Sequence, residues 1–259
     1  MQKRKKALAV GLLLACFSAA SGPAQQLAGV EIKGNGRAGK TQPLTLPLDS
    51  LDGLEVHSIR EDGIDPLKTK ADVATYRGRH ALRMVNEDGL TGTGTSAGAQ
   101  AIAIVTTSEF KDGTLEVDVA GLPREGAPPT TRGFVGIAFH VQDHHGFQYE
   151  SFYLRMTNAR SDDQLERNHV TQYVSEPEFR WQRLRRDNPG VYESYVDLEP
   201  GAWTRIKIVV AGTKAQMFIH GADQPCLIVN DLKLGEAHGQ VALWTGSNTQ
   251  AYFSNLTVK

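Results

Sequence analysis

The sequence predicts an all-β protein, an antiparallel β-sandwich of the jelly-roll type. Three observations lead to this fold class. About a dozen short runs have the composition and alternation of strands, and Gly- or Pro-containing turn signals separate them. No amphipathic stretch is long enough to predict a major helix. A length of 259 residues also suits one large β-domain.

The strand runs follow one another from residue 73 to the end of the chain. They cover residues 73–85, 100–105, 113–119, 134–141, 147–156, 169–174, 191–196, 203–210, 215–220, 240–245 and 252–258. Turns such as Asn188-Pro189-Gly190 separate them. Because no linker interrupts this series, residues 51–259 are predicted to form one jelly-roll domain.

The composition is that of a folded protein with little net charge. The chain is 40% hydrophobic and 22% charged, which is enough apolar material for a core. Its 28 Lys and Arg against 29 Asp and Glu give a formal charge of −1. Lys3, Arg4, Lys5 and Lys6 all lie in the first six residues, so the remainder is mildly acidic. Nucleic-acid binding needs a basic surface, and we therefore expect no nucleic-acid partner.

The N-terminal segment has the three-part pattern of a secretory signal. Basic residues precede an apolar run at 7–16, which is too short to span a bilayer, and small residues follow up to Ala24. One processing route is cleavage after Ala24, and the other is a lipoprotein signal that ends before Cys16. We predict a signal peptide at 1–24, a Gly/Pro-rich lead at 25–50, and export to the periplasm, the cell envelope or the medium.

The cysteines agree with this interpretation. The chain has two, Cys16 and Cys226. Removal or lipidation of Cys16 leaves Cys226 alone, so no internal disulfide is expected. A lipid on Cys16 would be the only contact with a membrane. Cys226 begins an apolar run and is interpreted as a small buried thiol rather than a nucleophile.

Paired carboxylates are one pattern with catalytic meaning, because glycosidases use two. Glu116 and Asp118 are two residues apart in a predicted strand and therefore share one face. Jelly-roll glucanases carry a further Glu shortly after such a pair, whereas Val119-Ala120-Gly121 follows here. The pair is therefore interpreted as an exposed strand face.

Metal ligands are a second pattern. His140, Asp143, His144 and His145 lie within six residues, and imidazole together with carboxylate suits zinc. The spacing matches no recognised ligand set, so a solvated turn is the preferred interpretation. We predict no metal site and no cofactor, while a structural calcium on turn carboxylates such as Asp163 stays open.

The strongest pattern is a run of aromatic, basic and amide residues in the middle of the chain. Because side chains alternate along a strand, three consecutive strands are predicted to place one polar-aromatic set on a common sheet surface. That set is His140, Tyr149, Tyr153, Arg155, His169 and Tyr173. The neighbouring loops add Asn158, Arg160, Asp163, Asn168, Arg180 and Trp181 as substrate-binding candidates. Such side chains bind hydroxyls and carboxylates, stack on sugar rings and transfer protons.

A simpler interpretation of these residues stays open. A charged surface loop with structural Arg–Asp pairs has a similar composition. Trp203 and Trp244 lie within strand runs and are interpreted as core residues. An error of one residue in strand register would exchange the surface set for the core set.

Several segments resemble those of concanavalin A-like, or laminin-G-like, jelly rolls. They are GTLE at 113–116, GFVGIAFH at 133–140, WTRIKI at 203–208, GQVALWTG at 239–246 and AYFSNLTV at 251–258. Within that superfamily the chain is most similar, over residues 50–259, to bacterial exported proteins with a 3-keto-disaccharide hydrolase domain. The resemblance implies the fold and a saccharide ligand. It transfers no catalytic residue, because the superfamily includes lectins, hydrolases, lyases and non-catalytic modules.

These observations predict an extracytoplasmic protein that binds an oligo- or polysaccharide on the sheet surface. Cleavage of a 3-keto-glycoside or a uronate stays open. In the enzyme hypothesis, His169 or His140 is the base. Tyr153 or Tyr173 returns a proton to the leaving oxygen, and Arg155 stabilises an enolate-type charge.

The alternative is a non-catalytic carbohydrate-binding or adhesive envelope module. In that hypothesis Trp181, Tyr149 and the arginines form a platform for stacking and hydrogen bonding. Asn158 assists Arg155 in the enzyme hypothesis and contacts the saccharide in the binding hypothesis.

Overall fold

The computed structural model describes residues 43–60, 63–64, 69–86, 99–143 and 146–259. Within these ranges the strands are β1 Leu44–Leu46, β2 Leu54–Arg60, β3 Gly63–Ile64, β4 Thr69–Tyr76, β5 Arg79–Asn86, β6 Gln100–Phe110, β7 Gly113–Pro123, β8 Phe134–Asp143, β9 Phe147–Arg155, β10 Thr171–Glu176, β11 Glu193–Ser194, β12 Thr204–Ala211, β13 Lys214–Ile219, β14 Leu227–Val229, β15 Gly239–Gly246 and β16 Thr249–Val258. A 3₁₀ helix covers Met156–Arg160, and two short α-helices are α1 Gln164–Asn168 and α2 Trp181–Asp187.

The strands form two antiparallel sheets that pack as a sandwich. Sheet A has the order β14-β13-β12-β7-β16-β5-β4. In addition, β1 pairs with the last residues of β16, on the edge of β16 that faces away from β7. Sheet B has the order β11-β10-β9-β8-β15-β6-β2-β3. The predicted antiparallel sandwich is therefore confirmed, and half of its neighbouring strand pairs join strands distant in sequence, as in a jelly roll.

Each predicted run contains at least one strand, and the differences are local. The run at 73–85 is a hairpin of β4 and β5, turned at Arg77 and Gly78, which both have positive φ. Strands β1, β2, β3 and β14 lie outside the predicted runs; β1, β3 and β14 have only two or three residues each, whereas β2 has seven. The strand β1 lies within the predicted lead at 25–50. The predicted signal peptide, Cys16 and residues 25–42 lie outside the described residues.

The core between the sheets follows from alternation. On sheet A, β7 and β12 bury every second residue, with the inward set Leu115, Val117, Val119, Ile206, Ile208 and Val210. On sheet B, β8 contributes Val135, Ile137 and Phe139. Removing this apolar surface from water is the main source of stability. In the described ranges, no helix is long and apolar enough to cross a membrane.

The two outer faces of the sandwich differ in burial. Along β12, outward residues are half-buried and alternate with buried ones. Along β9, all but one residue is buried on both faces. The outer face of sheet B is therefore covered, and α2 and the segments around β10 lie near it. This face carries the residues described next.

Candidate functional site

Arg155 is the centre of a polar cluster on the outer face of sheet B. It is the last residue of β9, and alternation places it on the same face as Tyr149 and Tyr153, as predicted. The register pairs Phe134 of β8 with Arg155 and Gln172 of β10 with Tyr153. The outer face at this end therefore gathers side chains from three adjacent strands.

Arg155 is buried, with 6% of its surface exposed. Its guanidinium donates hydrogen bonds to the carbonyl oxygen of His169 (2.9 Å), the hydroxyl of Tyr153 (3.1 Å) and Oε1 of Gln172 (3.1 Å). All three acceptors are neutral, and no carboxylate of the described part of the chain lies within ion-pair distance of Arg155. Burial lowers the pKa of Arg155 from its usual high value, but arginine remains charged in proteins.

A buried charge without a counter-ion is costly. Buried guanidinium groups are normally paired with carboxylates, because desolvation otherwise outweighs the hydrogen bonds that they make. Aromatic rings compensate in part: the guanidinium carbon lies 5.1 Å from the ring centroid of Tyr153 and 6.0 Å from those of Phe134 and Trp181. The arrangement suits a site at which negative charge arrives or develops.

His169 lies beside Arg155 and against a carboxylate. Its Nδ1 is 2.8 Å from Oε2 of Glu193, and its side chain is largely buried. Arg185 binds the same Glu193 carboxylate through Nε and Nη2 and offsets its charge. Burial lowers the pKa of His169, and the positive charges of Arg185 and Arg155 add to this effect against the attraction of Glu193. The imidazole is therefore neutral near pH 7.

Tyr153 forms the wall of the cluster. Its ring stacks on Trp244 of β15, with 4.6 Å between ring centroids. Gly136 of β8 lies opposite Tyr153, and a Cβ there would clash with the Phe152 carbonyl and lie 2.6 Å from the Cα and Cβ of Tyr153, so only glycine lets β9 approach this closely. Burial raises the pKa of Tyr153. Its hydroxyl accepts a hydrogen bond from Arg155, which leaves its own proton available for donation.

Trp181, the first residue of α2, is the exposed aromatic group of the cluster. It is 39% exposed, and the guanidinium carbon of Arg185 lies 4.8 Å from its ring centroid. Arg180 precedes it and pairs with Glu176 at 2.8 Å. Trp181 therefore presents an aromatic surface to solvent next to the buried guanidinium of Arg155.

Two of the predicted catalytic residues do not belong to this surface. Tyr173 pairs with Phe152 in the register of β9 and β10, which turns Tyr173 towards the core and turns Gln172 outwards. His140 has a positive φ of 54° at a bulge in β8 and also points inwards. Both bond to the buried Glu150, at 2.8 Å from Tyr173 and 3.1 Å from His140. The predicted common surface is therefore wrong for these two residues.

Tyr149 lies on the outer face but is fully buried. Its hydroxyl donates to Oε1 of Gln100, which also accepts from the indole of Trp244, and Gln100 in turn donates to Glu176 at 2.9 Å. These bonds use the polar group of Tyr149 internally. Tyr149 therefore has a structural role on this face, and its buried ring is not accessible to a ligand.

The remaining predicted binding residues have structural contacts around the 3₁₀ helix and α1. Asp163 is the N-cap of α1 and accepts from the backbone of Leu165. Asn158, which is buried, donates to the carbonyl of Glu166, Asn168 accepts from Gln164, and Arg160 pairs on the surface with Asp197 and Glu199. For Arg160, Asp163 and Asn168 the structure agrees with the simpler interpretation of a charged surface segment, whereas Asn158 is a buried structural amide.

The sequence missed four members of the cluster. Gln172 was not among the predicted residues, because its neighbour Tyr173 was placed on the outer surface instead. Glu193 lies in a two-residue strand with little pattern of its own. Arg185 follows Trp181 by one helical turn, a spacing that predicts a contact only once α2 is known. Trp244 is buried, as predicted, but on the outer face, against Tyr153.

Metal and thiol chemistry find no support among the described residues. No group of three or more metal-ligating side chains comes together in those ranges, and His144 and His145 lie outside them. Burial raises the pKa of Cys226 to about 11. This thiol is therefore protonated near neutral pH and a poor nucleophile.

The fold is similar to that of several solved structures. A Bacillus subtilis protein of unknown function with a galectin-like fold aligns with a TM-score of 0.52 and 11% identity, over 83% of this chain and 93% of that one. Carbohydrate-binding module CBM66 of Bacillus subtilis aligns with a TM-score of 0.47, 12% identity and coverages of 73% and 93%. An alginate lyase of polysaccharide lyase family 7 aligns with a TM-score of 0.44 and 16% identity, over 82% of this chain and 98% of that one. At these identities the similarity concerns the fold alone.

The family is established by sequence. The model of the 3-keto-alpha-glucoside-1,2-lyase-like domain matches residues 62–259. The chain therefore belongs to this family, in agreement with the resemblance described above. A search of curated proteins finds no match.

Proposed function

We propose that the protein binds a 3-keto-glycoside on the outer face of sheet B and cleaves it by elimination. The family supports the substrate class. The observation that carries the proposal is the buried guanidinium of Arg155, which has only neutral hydrogen-bond partners in the described structure. A buried guanidinium without a carboxylate partner contributes little to the stability of the fold, but it can stabilise negative charge on a keto oxygen.

The chemistry begins at the carbon between the ketone and the anomeric centre. A ketone acidifies this C–H bond, and the neutral imidazole of His169 removes the proton. The electron pair moves onto the keto oxygen, where Arg155 stabilises the enolate. When the enolate collapses, a C=C bond forms and the glycosidic C–O bond breaks. Tyr153 gives its proton to the departing oxygen and regains one from His169 through solvent, so no water is consumed.

The surrounding residues prepare these roles. Oε2 of Glu193 lies 2.8 Å from Nδ1 of His169. Arg185 offsets the charge of this carboxylate, which would otherwise favour the protonated imidazolium. Burial keeps Tyr153 protonated until its proton is needed. Trp181 provides a ring on which a sugar stacks beside Arg155. The N-terminal pattern supports export, which would place this site where oligosaccharides are encountered.

A non-catalytic binding module is the second candidate, and the exposed Trp181 favours it. Stacking on this ring needs no proton transfer, and the hydroxyl of Tyr153 is more deeply buried than the indole of Trp181. In that case Trp181→Ala abolishes saccharide binding, whereas His169→Gln leaves the affinity unchanged. If the protein is an enzyme, His169→Gln stops turnover.

The deciding experiment is product analysis by mass spectrometry. The substrates are a 3-keto-α-glucoside, the parent α-glucoside without the ketone, and a polyuronate. Elimination from the 3-keto-glucoside yields two products whose masses sum to that of the substrate, whereas hydrolysis adds one water. Survival of the 3-keto-glucoside, or products that contain added water, would contradict the proposal.

The matched variants are two arginines of contrasting environment. Arg155→Ala is expected to lower kcat about 10²- to 10³-fold, the usual cost of losing a group that stabilises an oxyanion. Arg160→Ala, in an exposed ion pair, is expected to leave kcat unchanged. Equal activity of the two variants would remove Arg155 from the mechanism.

A further inference from the structure

A second polar and aromatic cluster lies on the opposite side of the sandwich, on the outer face of sheet A. There a cleft of about 370 Å³ is lined by Arg79, Glu116, Asp118, Trp203, Arg205, Lys207, His220 and Gly221. Its volume is near the lower end of the range of about 300–1,000 Å³ for small-molecule sites. None of these residues belongs to the Arg155 cluster.

The cleft is built along β12. Trp203 precedes this strand, and Arg205 and Lys207 follow at intervals of two residues, so all three project from the outer face. At about 3.3 Å per residue, the line from Trp203 to Lys207 is about 13 Å long. The strand thus offers an aromatic ring, a guanidinium and an ammonium in sequence.

The carboxylates of the cleft are occupied in holding the arginines. Asp118 accepts from Arg79 at 3.1 Å, from Arg205 at 3.2 Å and from Asn255 at 2.9 Å. Glu116 accepts from Arg205 at 3.0 Å, and this bond is the main reason that the pKa of Glu116 is lowered. The two acids are therefore bound to cations and do not act as a catalytic pair, in line with their interpretation as a strand face.

Arg205 is preorganised by this arrangement. Two carboxylates fix its guanidinium, while about 40% of its side chain remains exposed. A ligand that binds the exposed edge does not have to order a flexible side chain, which saves part of the usual entropy cost.

Trp203 is held with similar rigidity. The guanidinium carbon of Arg79 lies 5.1 Å from its ring centroid, and Tyr76 meets the indole edge-on at 5.8 Å. Tyr76 is itself fixed by a hydrogen bond to the carbonyl of Gly201 at 2.8 Å and by stacking on Tyr252. Trp203 is half-buried, not a core residue as predicted, and is a stable aromatic wall for a ring-shaped ligand.

Lys207 is the charge of the cleft that lacks an acidic partner. Its ammonium lies 4.1 Å from the ring centroid of Phe218, and no carboxylate of the described ranges lies within ion-pair distance. The lining thus has three cations against two carboxylates, and both carboxylates are already bound.

We infer that this cleft is a second binding site, for a saccharide with a carboxylate group, such as a uronic acid unit. The sugar ring packs against Trp203, and its carboxylate binds Lys207 and the exposed edge of Arg205. A neutral sugar leaves Lys207 unpaired. A phosphate dianion is repelled more strongly than a monoanion by Glu116 and Asp118. The site is independent of the elimination proposed on sheet B.

The three tryptophans of the chain make this inference testable by NMR. Trp203 marks the cleft on sheet A, Trp181 marks the Arg155 cluster, and Trp244 is buried. In ¹⁵N-labelled protein, with indole signals assigned by Trp→Phe variants, digalacturonic acid is expected to shift the signal of Trp203 in a saturable manner. A neutral digalactoside is expected to leave that signal in place.

Lys207→Gln tests the charge, and Lys214→Gln, at the exposed start of β13, is its matched control. Lys207→Gln is expected to weaken binding of digalacturonic acid about tenfold, in keeping with loss of a charge-assisted hydrogen bond. Lys214→Gln is expected to retain the affinity. The site is refuted if Trp203 does not respond, if the neutral sugar shifts it equally, or if the two lysine variants bind alike. A shift of Trp181 alone would refute the second site without touching the proposed elimination.

Discussion

The outer faces of sheet A and sheet B use the same residue types in opposite ways. On sheet A, Arg79 and Arg205 are partly exposed and bonded to Asp118, and Arg205 also to Glu116. On sheet B, Arg155 is buried and bonded to a carbonyl, a hydroxyl and an amide. The first arrangement neutralises charge in place and organises a surface. The second leaves a buried cation with only neutral hydrogen-bond partners, which costs stability and is useful when a negative group meets it.

The aromatic pairs show the same contrast. Tyr76 and Tyr252 stack on sheet A with centroids 3.8 Å apart, and Tyr153 and Trp244 stack on sheet B at 4.6 Å. The hydroxyl of Tyr252 accepts from Gln250, whereas that of Tyr153 accepts from Arg155. Both rings contribute packing, but only the hydroxyl of Tyr153 lies next to the proposed reaction.

The largest expected effect comes from removing those two hydroxyls in turn. Tyr153→Phe keeps the stack on Trp244 and is expected to lower kcat on a 3-keto-α-glucoside about 10²-fold or more, because the leaving oxygen loses its proton donor. Tyr252→Phe keeps the stack on Tyr76 and is expected to leave kcat unchanged. Steady-state kinetics with thermal unfolding as a folding control decides the matter. A Tyr153→Phe variant with wild-type kcat would assign the proton transfer elsewhere.

The pH dependence is the next largest effect. Because burial lowers the pKa of His169, the base stays neutral below the usual histidine pKa of about 6.5, and the acidic limb of kcat/KM is expected below that pH. The folded state binds fewer protons than the unfolded state between the lowered pKa and 6.5. The free energy of unfolding therefore decreases as the pH falls from about 6.5 to the lowered pKa of His169.

Glu193→Gln tests whether His169 is the group that causes the acidic limb of the kcat/KM profile. It removes the charge that attracts a proton to His169 but leaves Arg185 in place, so the acidic limb is expected to move further down in pH. The measurement is a profile of kcat/KM for wild type, Glu193→Gln and His169→Gln. An unchanged limb in His169→Gln that retains turnover would exclude His169 as the base.

The smallest expected effect concerns stability on sheet A. Asp118→Asn removes the charge that anchors Arg79 and Arg205, and we expect a loss of about 1–2 kcal/mol in the free energy of unfolding. Asp72→Asn, which breaks an exposed pair with Arg83, is expected to cost less than about 1 kcal/mol. Urea unfolding at low and high salt measures both. Equal losses in the free energy of unfolding would show that Asp118 stabilises the fold no more than an exposed ion pair does.

Much of the fold followed from local pattern. The alternation in β7, β8 and β12 predicted these strands, because a half-buried strand needs an apolar residue at every second position. The short strands β1, β3 and β14 carry too few residues for that signal and form because neighbouring strands supply their hydrogen bonds. The short helices α1 and α2 were missed for a similar reason.

The site was predicted less completely, and β10 shows why. Its six residues are all buried, so the polarity of Gln172 and Tyr173 did not reveal which of them faces outwards. Register against β9 decides this, and register is a property of the pair. The bulge that turns His140 inwards is likewise set by the pairing of β8 with β9 and β15.

The strand series, the mildly acidic composition, the family resemblance and the residue types available for chemistry follow from the sequence. These are local properties, encoded in alternation, turns and motifs. Three features emerge only in the folded chain: Arg155 lies buried among neutral partners, Glu193 and Arg185 flank His169, and Trp203 and Lys207 share a cleft. Each of those results depends on contacts between strands and loops distant in sequence, and such contacts leave no periodic trace in the chain.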